Sequence, residues 1–188
     1  QGFHYAPGAL KHSSVMTARN PTGTAVLNWG RKPDISPDGS RIFVARAGTS
    51  TTGCVGRSTD GGVTWQEITP SADEWRQIVA SDDGLQLIAL GEKKGPTVSN
   101  DGGVTWSNPF AASRSWEGLA SSADGRVAIA LNRASTNPGA RLRVHVSTDY
   151  GASWNERTGV ADVIVMAAAV STNGERVFVA GDTRIWGS

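Results

Sequence analysis

Acidic residues next to tryptophans are the side chains of this 188-residue chain that are best placed to do chemistry. Glu74 precedes Trp75, Glu117 follows Trp116, and Asp162 is a third carboxylate further along the chain. Two carboxylates held about 5–10 Å apart can act as general acid and general base in glycoside hydrolysis. The alternative is that all three are solvated surface charges, as most acidic residues are.

The tryptophans themselves can serve a binding site, because an exposed indole ring stacks well on the C–H face of a sugar. The alternative for these rings is packing between neighbouring sheets, which buries a large apolar area. Polar and basic side chains lie close to them in the sequence and could orient a ligand. The candidate ligand-binding set is therefore Trp29, Trp75, Trp116, Arg76, Arg114, Asn132 and Arg133.

Several other classes of function are disfavoured by composition. The net charge of +1 argues against a nucleic-acid partner, which would select a strongly basic surface. No apolar run approaches the roughly 18 residues of a membrane-spanning helix. The single Cys54 excludes an intrachain disulfide, and the three histidines lack acidic or cysteine neighbours at ligand spacing. We therefore predict no metal site and no cofactor.

Three copies of an eight-residue stretch, at 58–65, 99–106 and 147–154, must position these candidates. They share the pattern Ser-x-Asp-x-Gly-x-Thr/Ser-Trp. The Asp can accept backbone hydrogen bonds in a tight turn, the Gly can adopt positive φ, and the Trp can wedge between sheets. The structural positions so assigned are Ser58, Asp60, Gly62, Trp65, Ser99, Asp101, Gly103, Trp106, Ser147, Asp149, Gly151 and Trp154.

A second set of turns, Ser-x-Asp/Asn-Gly, occurs at 36–39, 81–84, 122–125 and 171–174. An alternating apolar stretch follows each turn, which is a hairpin signal. Two hairpins per unit, with the first serines of the eight-residue stretches 41 and 48 residues apart, predict an all-β chain. The predicted fold is a β-propeller of four-stranded antiparallel blades. No sustained 3.6-residue period occurs, so little helix is expected.

The eight-residue stretch resembles the Asp-box (bacterial neuraminidase) repeat of sialidases, sortilin-type receptors, oligoxyloglucanases and photosystem assembly factors. The resemblance implies a propeller in which each box is a structural hairpin, away from the ligand. A sialidase would further require three arginines and a Tyr–Glu pair. Tyr5 and Tyr150 are the only tyrosines, and Tyr150 lies inside a box, so sialidase activity is not expected.

The repeats predict one domain over 1–188, with four blades at about 29–69, 75–110, 116–158 and 163–188. The last blade lacks an outer strand, and residues 14–19 are predicted to supply it. A fragment of a larger ring, or half of an eight-bladed ring made by two chains, are the alternatives. The segment 32–34, Lys-Pro-Asp, is poor strand material. Blade one should therefore be distorted there, or its inner strand should shift towards 25–29.

Both kinds of turn are predicted to lie on one side of the blades, which we call the hairpin face. The connections between blades form the opposite, interblade-loop face. We predict a non-catalytic recognition module that binds glycan or protein through the interblade-loop face. The alternative is a glycosidase-like hydrolase that uses Glu74, Glu117 and Asp162.

A first residue of Gln1 fits removal of a signal peptide, so a secreted, extracellular protein is expected. Self-association through the N-terminal arm 1–12 or through the edge of the last blade at 183–187 is one hypothesis, and a plain monomer and a domain-swapped closed dimer are the alternatives.

Overall fold

The computed structural model describes residues 33–46, 53–68, 70, 73–92, 94–110, 116–133, 142–157, 165–181 and 185–187. Within these ranges the chain forms fourteen strands and no helix, and hence no helix that could cross a membrane. The strands are β1 (Asp34–Ile35), β2 (Ile42–Arg46), β3 (Cys54–Ser58), β4 (Gln66–Glu67), β5 (Trp75–Ala80), β6 (Leu87–Gly91), β7 (Pro96–Ser99), β8 (Trp116–Ser121), β9 (Ala128–Arg133), β10 (Leu142–Ser147), β11 (Asn155–Arg157), β12 (Val165–Val170), β13 (Val177–Gly181) and β14 (Ile185–Gly187).

These strands form four antiparallel sheets in chain order. Blade one contains β1 to β4, blade two β5 to β7, blade three β8 to β11 and blade four β12 to β14. Each strand pairs only with its neighbours in sequence, as two-hairpin units require. The all-β prediction with four antiparallel blades is confirmed. The predicted outer strand at 14–19 and the shifted inner strand at 25–29 lie outside the described residues.

Three blades depart from four full strands: blade four contains three described strands, and in blades one and two a proline lies at the departure. In blade one, β1 has two residues and follows Pro33, which has no N–H for strand pairing. This is the distortion expected from 32–34. In blade two the fourth strand is reduced to one bridge between Val98 and Ser107, and Pro109 follows two residues later. Pairing therefore stops early in both cases.

The hydrophobic core lies in three layers between successive blades. Phe43, Val55, Trp75 and Leu87 are among the residues that fill the layer between blades one and two. The next layer contains Ile88, Leu90, Val98, Trp116 and Leu119. The third contains Ile129, Leu131, Val144, Val146 and Val179. Neighbouring blades thus stabilise one another by apolar burial, as stacked repeats do.

One face of the blade-four sheet is exposed to solvent, whereas the equivalent face of each of the other three blades is buried. Phe178 occupies the same position, seven residues after the hairpin serine, as Phe43, Ile88 and Ile129. Those three side chains are 1%, 3% and 0% exposed, whereas Phe178 is 42% exposed. Ile185 on the neighbouring strand β14 is 75% exposed. The face of blade four that points away from blade three is therefore only partly covered.

Each of the three eight-residue stretches, which we call boxes (58–65, 99–106 and 147–154), forms a turn that is stabilised by hydrogen bonds from its own side chains. In the second box, the Asp101 carboxylate accepts hydrogen bonds from the N–H groups of Val104 and Thr105 at 2.9–3.0 Å. The hydroxyl of Ser99 donates to Asp101 and accepts from the N–H of Gly103, both at 2.8 Å. The first box repeats all of these bonds, and the third repeats those of the Ser, the Gly and the residue before Trp154.

The second and third boxes also lock their blades onto the preceding blade. A Cβ added to Gly103 would lie 2.5 Å from Ile68 of blade one, and a Cβ added to Gly151 would lie 2.8 Å from Val98 of blade two. Trp106 packs on the layer between blades one and two. The box therefore works as an interblade wedge as well as a turn.

Removing the buried serine of a box should destabilise the domain measurably. Ser99 is 1% exposed, and Ser99→Ala leaves the Gly103 N–H without its buried acceptor. We expect a loss of about 1–3 kcal/mol in the free energy of unfolding, measured by urea denaturation. The matched control is Ser107→Ala, an exposed serine of the same blade, which should change stability by less than about 0.5 kcal/mol. Equal stabilities of the two variants would contradict this account of the box.

Acid should destabilise the fold through the aspartates of the turns. Hydrogen bonds, the first of them from the hydroxyls of Thr64 and Thr105, lower the pKa of Asp60 and of Asp101 to about 2. The Ser36 hydroxyl and further bonds do the same for the pKa of Asp38. An unfolded Asp has a pKa of about 3.9, so the folded state binds fewer protons between the two values.

The stabilisation from these aspartates is therefore complete above about pH 4 and is lost as the pH falls towards 2. We expect the urea midpoint to drop between pH 5 and pH 2. Asp34 and Glu74, whose pKa values are raised, contribute in the opposite direction. A midpoint that stays level or rises over this interval would show that the turn carboxylates do not contribute.

Candidate functional site

The two described tryptophans of the predicted binding set are buried. Trp75 and Trp116 are each 0% exposed and lie in the layers between blades. This corrects the expectation that they offer exposed ring faces to a sugar. The structure instead supports the packing alternative for both rings. Trp29 lies outside the described residues.

A β-bulge repeated in the inner strands causes this burial. Pairing shifts register between Trp75 and Gln77 in β5, and between Trp116 and Gly118 in β8. One extra residue moves the following side chains to the opposite face. Trp75 therefore joins Ile78 on the side of the preceding blade, although the two are three residues apart.

Glycines of the preceding blade make room for these rings. A Cβ on Gly53 would lie 3.2 Å from the Trp75 ring, and one on Gly95 would lie 3.1 Å from the Trp116 ring. Trp116 also makes an edge contact with Phe110, with ring centroids 5.5 Å apart. A glycine precedes each of these tryptophans at a similar distance in the sequence (Gly53 before Trp75, Gly95 before Trp116), and this recurrence was the available sequence signal that the rings are packed.

The described polar members of the predicted set all have partners within the chain. Asn132 is fully buried, and its side-chain oxygen lies 3.0 Å from Nε2 of His145. Arg76 forms an ion pair with Glu92 at 3.0 Å, and Arg133 forms one with Glu117 at 2.7 Å. Arg114 lies outside the described residues. The structure thus assigns Asn132 to the core and both described arginines to ion pairs.

The two described carboxylates of the predicted catalytic set have separate partners. Glu117 faces Arg133, and Asp162 lies outside the described residues. Glu74 instead shares a hydrogen bond with the side chain of Glu92, which is the main cause of its raised pKa; burial and the charge of Glu92 add to it. Glu92 was missed by sequence reasoning, yet it follows Gly91, the cross-strand partner of Trp75. Residues next to a paired position meet across the sheet edge.

A cavity of about 380 Å³ opens where the inner strands approach the hairpin face. All four blades contribute to its wall, which places it at the mouth of the central channel. The side chains are small, apolar or hydrogen-bonding, with two carboxylates among them. They are Asp34 from blade one, Val79, Ala80 and Asp82 from blade two, 119–123 from blade three, and 168–170 with Thr172 from blade four.

Backbone hydrogen bonds between hairpin turns frame this cavity. The N–H of Asp82 donates to Ala123 O at 2.8 Å, and the N–H of Ala123 donates to Thr172 O at 3.0 Å. Blades two, three and four are thereby tied in a chain around the mouth. A wall fixed in this way needs little reorganisation when a ligand enters.

Asp34 connects blade one to the same wall. Its carboxylate accepts hydrogen bonds from the N–H of Ile35 at 3.0 Å and from the N–H of Ala80 in blade two at 2.7 Å. Burial is the main reason that the pKa of Asp34 is raised, and the nearby charge of Asp82 raises it further. A carboxylate offers about four acceptor sites, so two remain for a ligand. Perturbed carboxyls in a concave site mark a functional candidate.

The described residues contain no group of three or more His, Cys, Asp and Glu side chains arranged to hold a metal ion. The candidate site therefore consists of the channel-mouth cavity, with the Glu74–Glu92 pair as a second feature near the interblade-loop end of β5.

No family profile and no curated protein matches this chain. Solved structures do resemble it. An ancestral GH74 enzyme superposes with a TM-score of 0.60 at 19% identity, over 85% of this chain and 25% of that one. YCF48 bound to D1 peptide gives 0.58 at 17%, over 88% and 52%. TolB from Agrobacterium tumefaciens gives 0.63 at 14%, over 86% and 58%.

The chain thus spans between a quarter and about three fifths of the length of these structures. At this level of identity the likeness concerns the fold. Four antiparallel blades around a channel and the superposition on these proteins lead to one conclusion: the chain has the β-propeller fold.

Proposed function

We propose that this chain is a non-catalytic recognition module that binds a protein segment at the channel-mouth cavity. The observation that carries the proposal is a preorganised cavity of about 380 Å³ to which all four blades contribute hydrogen-bonding and small apolar side chains. Such cavities are the usual ligand sites of globular proteins. The proposal moves the ligand from the interblade-loop face, where sequence analysis had placed it, to the hairpin face.

We favour a protein ligand over a glycan on two grounds. One structural neighbour is YCF48 in complex with a D1 peptide, and another is a nidogen/laminin complex. The described residues that line the cavity include no tryptophan on which a sugar ring could stack. Glycan binding, which sequence analysis left open beside protein binding, becomes an outcome of the test.

Filling the cavity is the direct experiment. Ala169 is exposed and lines the cavity, so Ala169→Trp should block it without disturbing the core. Wild type and variant would be screened against a peptide array and a glycan array. We expect peptides that bind the wild type to lose at least tenfold in affinity. The matched control is Ala152→Trp, an exposed alanine of the third box that lies outside the cavity. Unchanged binding by Ala169→Trp, or hits on the glycan array alone, would overturn the proposal.

A hydrolase is the second candidate, and the Glu74–Glu92 pair favours it. A carboxyl whose pKa is raised can donate a proton as a general acid, and GH74 enzymes are among the structural neighbours. However, two carboxyls in hydrogen-bond contact are closer than the roughly 5–9.5 Å found in glycosidases. Turnover of chromogenic glycosides that Glu74→Gln and Glu92→Gln abolish would favour the enzyme.

Self-association through the N-terminal arm or the edge of the last blade, and an extracellular location, stay predictions. Light scattering on the full chain and on a version that lacks residues 1–12 tests the first. Identical monomer masses would end that prediction.

A further inference from the structure

We propose that the channel-mouth cavity recognises a cationic side chain, arginine or lysine, of the bound protein segment. This inference rests on the proposed function, because it names the chemical class of group that enters the same cavity. It follows from the charges of the wall, from the room available, and from the charge of the surrounding face.

Two carboxylates, Asp34 and Asp82, lie in the wall, and the described residues that line the cavity include no lysine or arginine. The hydrogen bonds that Asp34 accepts come from backbone N–H groups, and no described lysine or arginine forms an ion pair with it. Burial of this carboxylate disfavours its charged form, and a cation would relieve that cost. The described part of the wall therefore carries negative charge that a positively charged ligand group would neutralise.

The other wall groups suit the long stem and the several N–H donors of such a side chain. The hydroxyls of Ser121 and Thr172 can accept hydrogen bonds, while Val79, Leu119 and Val170 offer apolar surface to methylene groups. One water molecule occupies roughly 30 Å³ of liquid volume, so about 380 Å³ holds a guanidinium, its stem and some water. A neutral or acidic group would not neutralise the charge of the two carboxylates.

The hairpin face around the mouth carries further negative charge. Six aspartates of the turns on this face are ionised at neutral pH, as unperturbed aspartates are, and hydrogen bonds in the turns lower their pKa further: Asp38, Asp60, Asp83, Asp101, Asp124 and Asp149. Arg41 lies near Asp38 and Asp83, and Arg126 lies near Asp124, so part of this negative charge is offset on the same face. Such a field attracts cationic segments and raises their association rate.

A matched pair of peptides tests the proposal on the full chain. The first is a blocked pentapeptide with a central arginine between glycine and serine residues. The second carries citrulline, a neutral isostere, in place of arginine. Binding is followed by two-dimensional NMR through the amide signals of Ala80, Ala120 and Ala168. We expect the arginine peptide to shift these signals and to bind at least tenfold more tightly than the citrulline peptide.

Charge variants distinguish the effect of a carboxylate in the cavity wall from the effect of negative charge elsewhere on the protein surface. Asp82→Asn should weaken the arginine peptide about threefold to tenfold, and Asp82→Lys should abolish binding. Glu67→Gln removes one negative charge from the outermost strand of blade one and should leave affinity unchanged. Equal binding of both peptides, or no effect of either Asp82 variant, would overturn the cationic assignment. If other array ligands still shift the same amides, the proposed function stands; if no ligand shifts them, it fails as well.

Discussion

Trp116→Ala is expected to lower the free energy of unfolding by about 3–5 kcal/mol, the range for large-to-small substitutions of buried aromatic residues. The ring is 0% exposed and lies in the layer between blades two and three. Phe110 and His145 contact it with ring centroids 5.5 Å and 5.6 Å away. Because three elements meet at this ring, the remaining cavity cannot close by the movement of one side chain.

Urea denaturation of the wild type and two further variants completes this test. Trp116→Phe keeps an aromatic ring and should lose less than the alanine variant. Val104→Ala changes a side chain that is 77% exposed and should stay within about 0.5 kcal/mol of the wild type. A loss below about 1 kcal/mol for Trp116→Ala would indicate that the ring is exposed in solution, and would reopen its assignment as a ligand platform.

Gly103→Ala is expected to cost about 2–5 kcal/mol for two separate reasons. Gly103 has φ of 91°, a conformation that costs an L-residue about 1–2 kcal/mol. The added Cβ would also lie 2.5 Å from Cδ1 and 3.2 Å from Cβ of Ile68 in blade one. Overpacking at a tight contact costs a further 1–3 kcal/mol.

Gly39→Ala is the matched control, since it separates the two costs. Gly39 has φ of 71°, and a Cβ there would meet no atom within 4 Å. Its variant should lose only the backbone part. The difference between the two variants in urea denaturation then measures the contact between the second box and blade one. Equal losses of unfolding free energy in the two variants would mean that there is no tight contact between the second box and blade one.

Sequence patterns were sufficient for the local structure. The positions of Asp and Gly specify the box and hairpin turns, because few residues can cap these N–H groups or adopt positive φ. Alternating apolar residues after each turn specify the second strands. The weak inner strand of blade one was also readable from Pro33, since a residue without an N–H limits pairing wherever it stands. Each of these features depends on neighbours within about ten residues.

The candidate site required contacts that no local pattern encodes. The local sequence around Trp75 and Trp116 is compatible with either an exposed or a buried ring. The β-bulge that follows each tryptophan places its side chain on the side of the preceding blade. Glu92 became the partner of Glu74 through pairing of β5 with β6, and Asp34 reached the N–H of Ala80 from a different blade.

The sequence by itself determined the repeating unit, its turns and its antiparallel blades, because those depend on short-range hydrogen bonding and backbone conformation. The tertiary structure alone decided which rings are buried and which carboxylates meet. It also decided on which face a cavity opens, since the channel mouth is assembled from side chains of four blades between Asp34 and Thr172. Packing between repeats fixes the relative positions of such distant residues, and a one-residue bulge is enough to reverse the direction of a side chain.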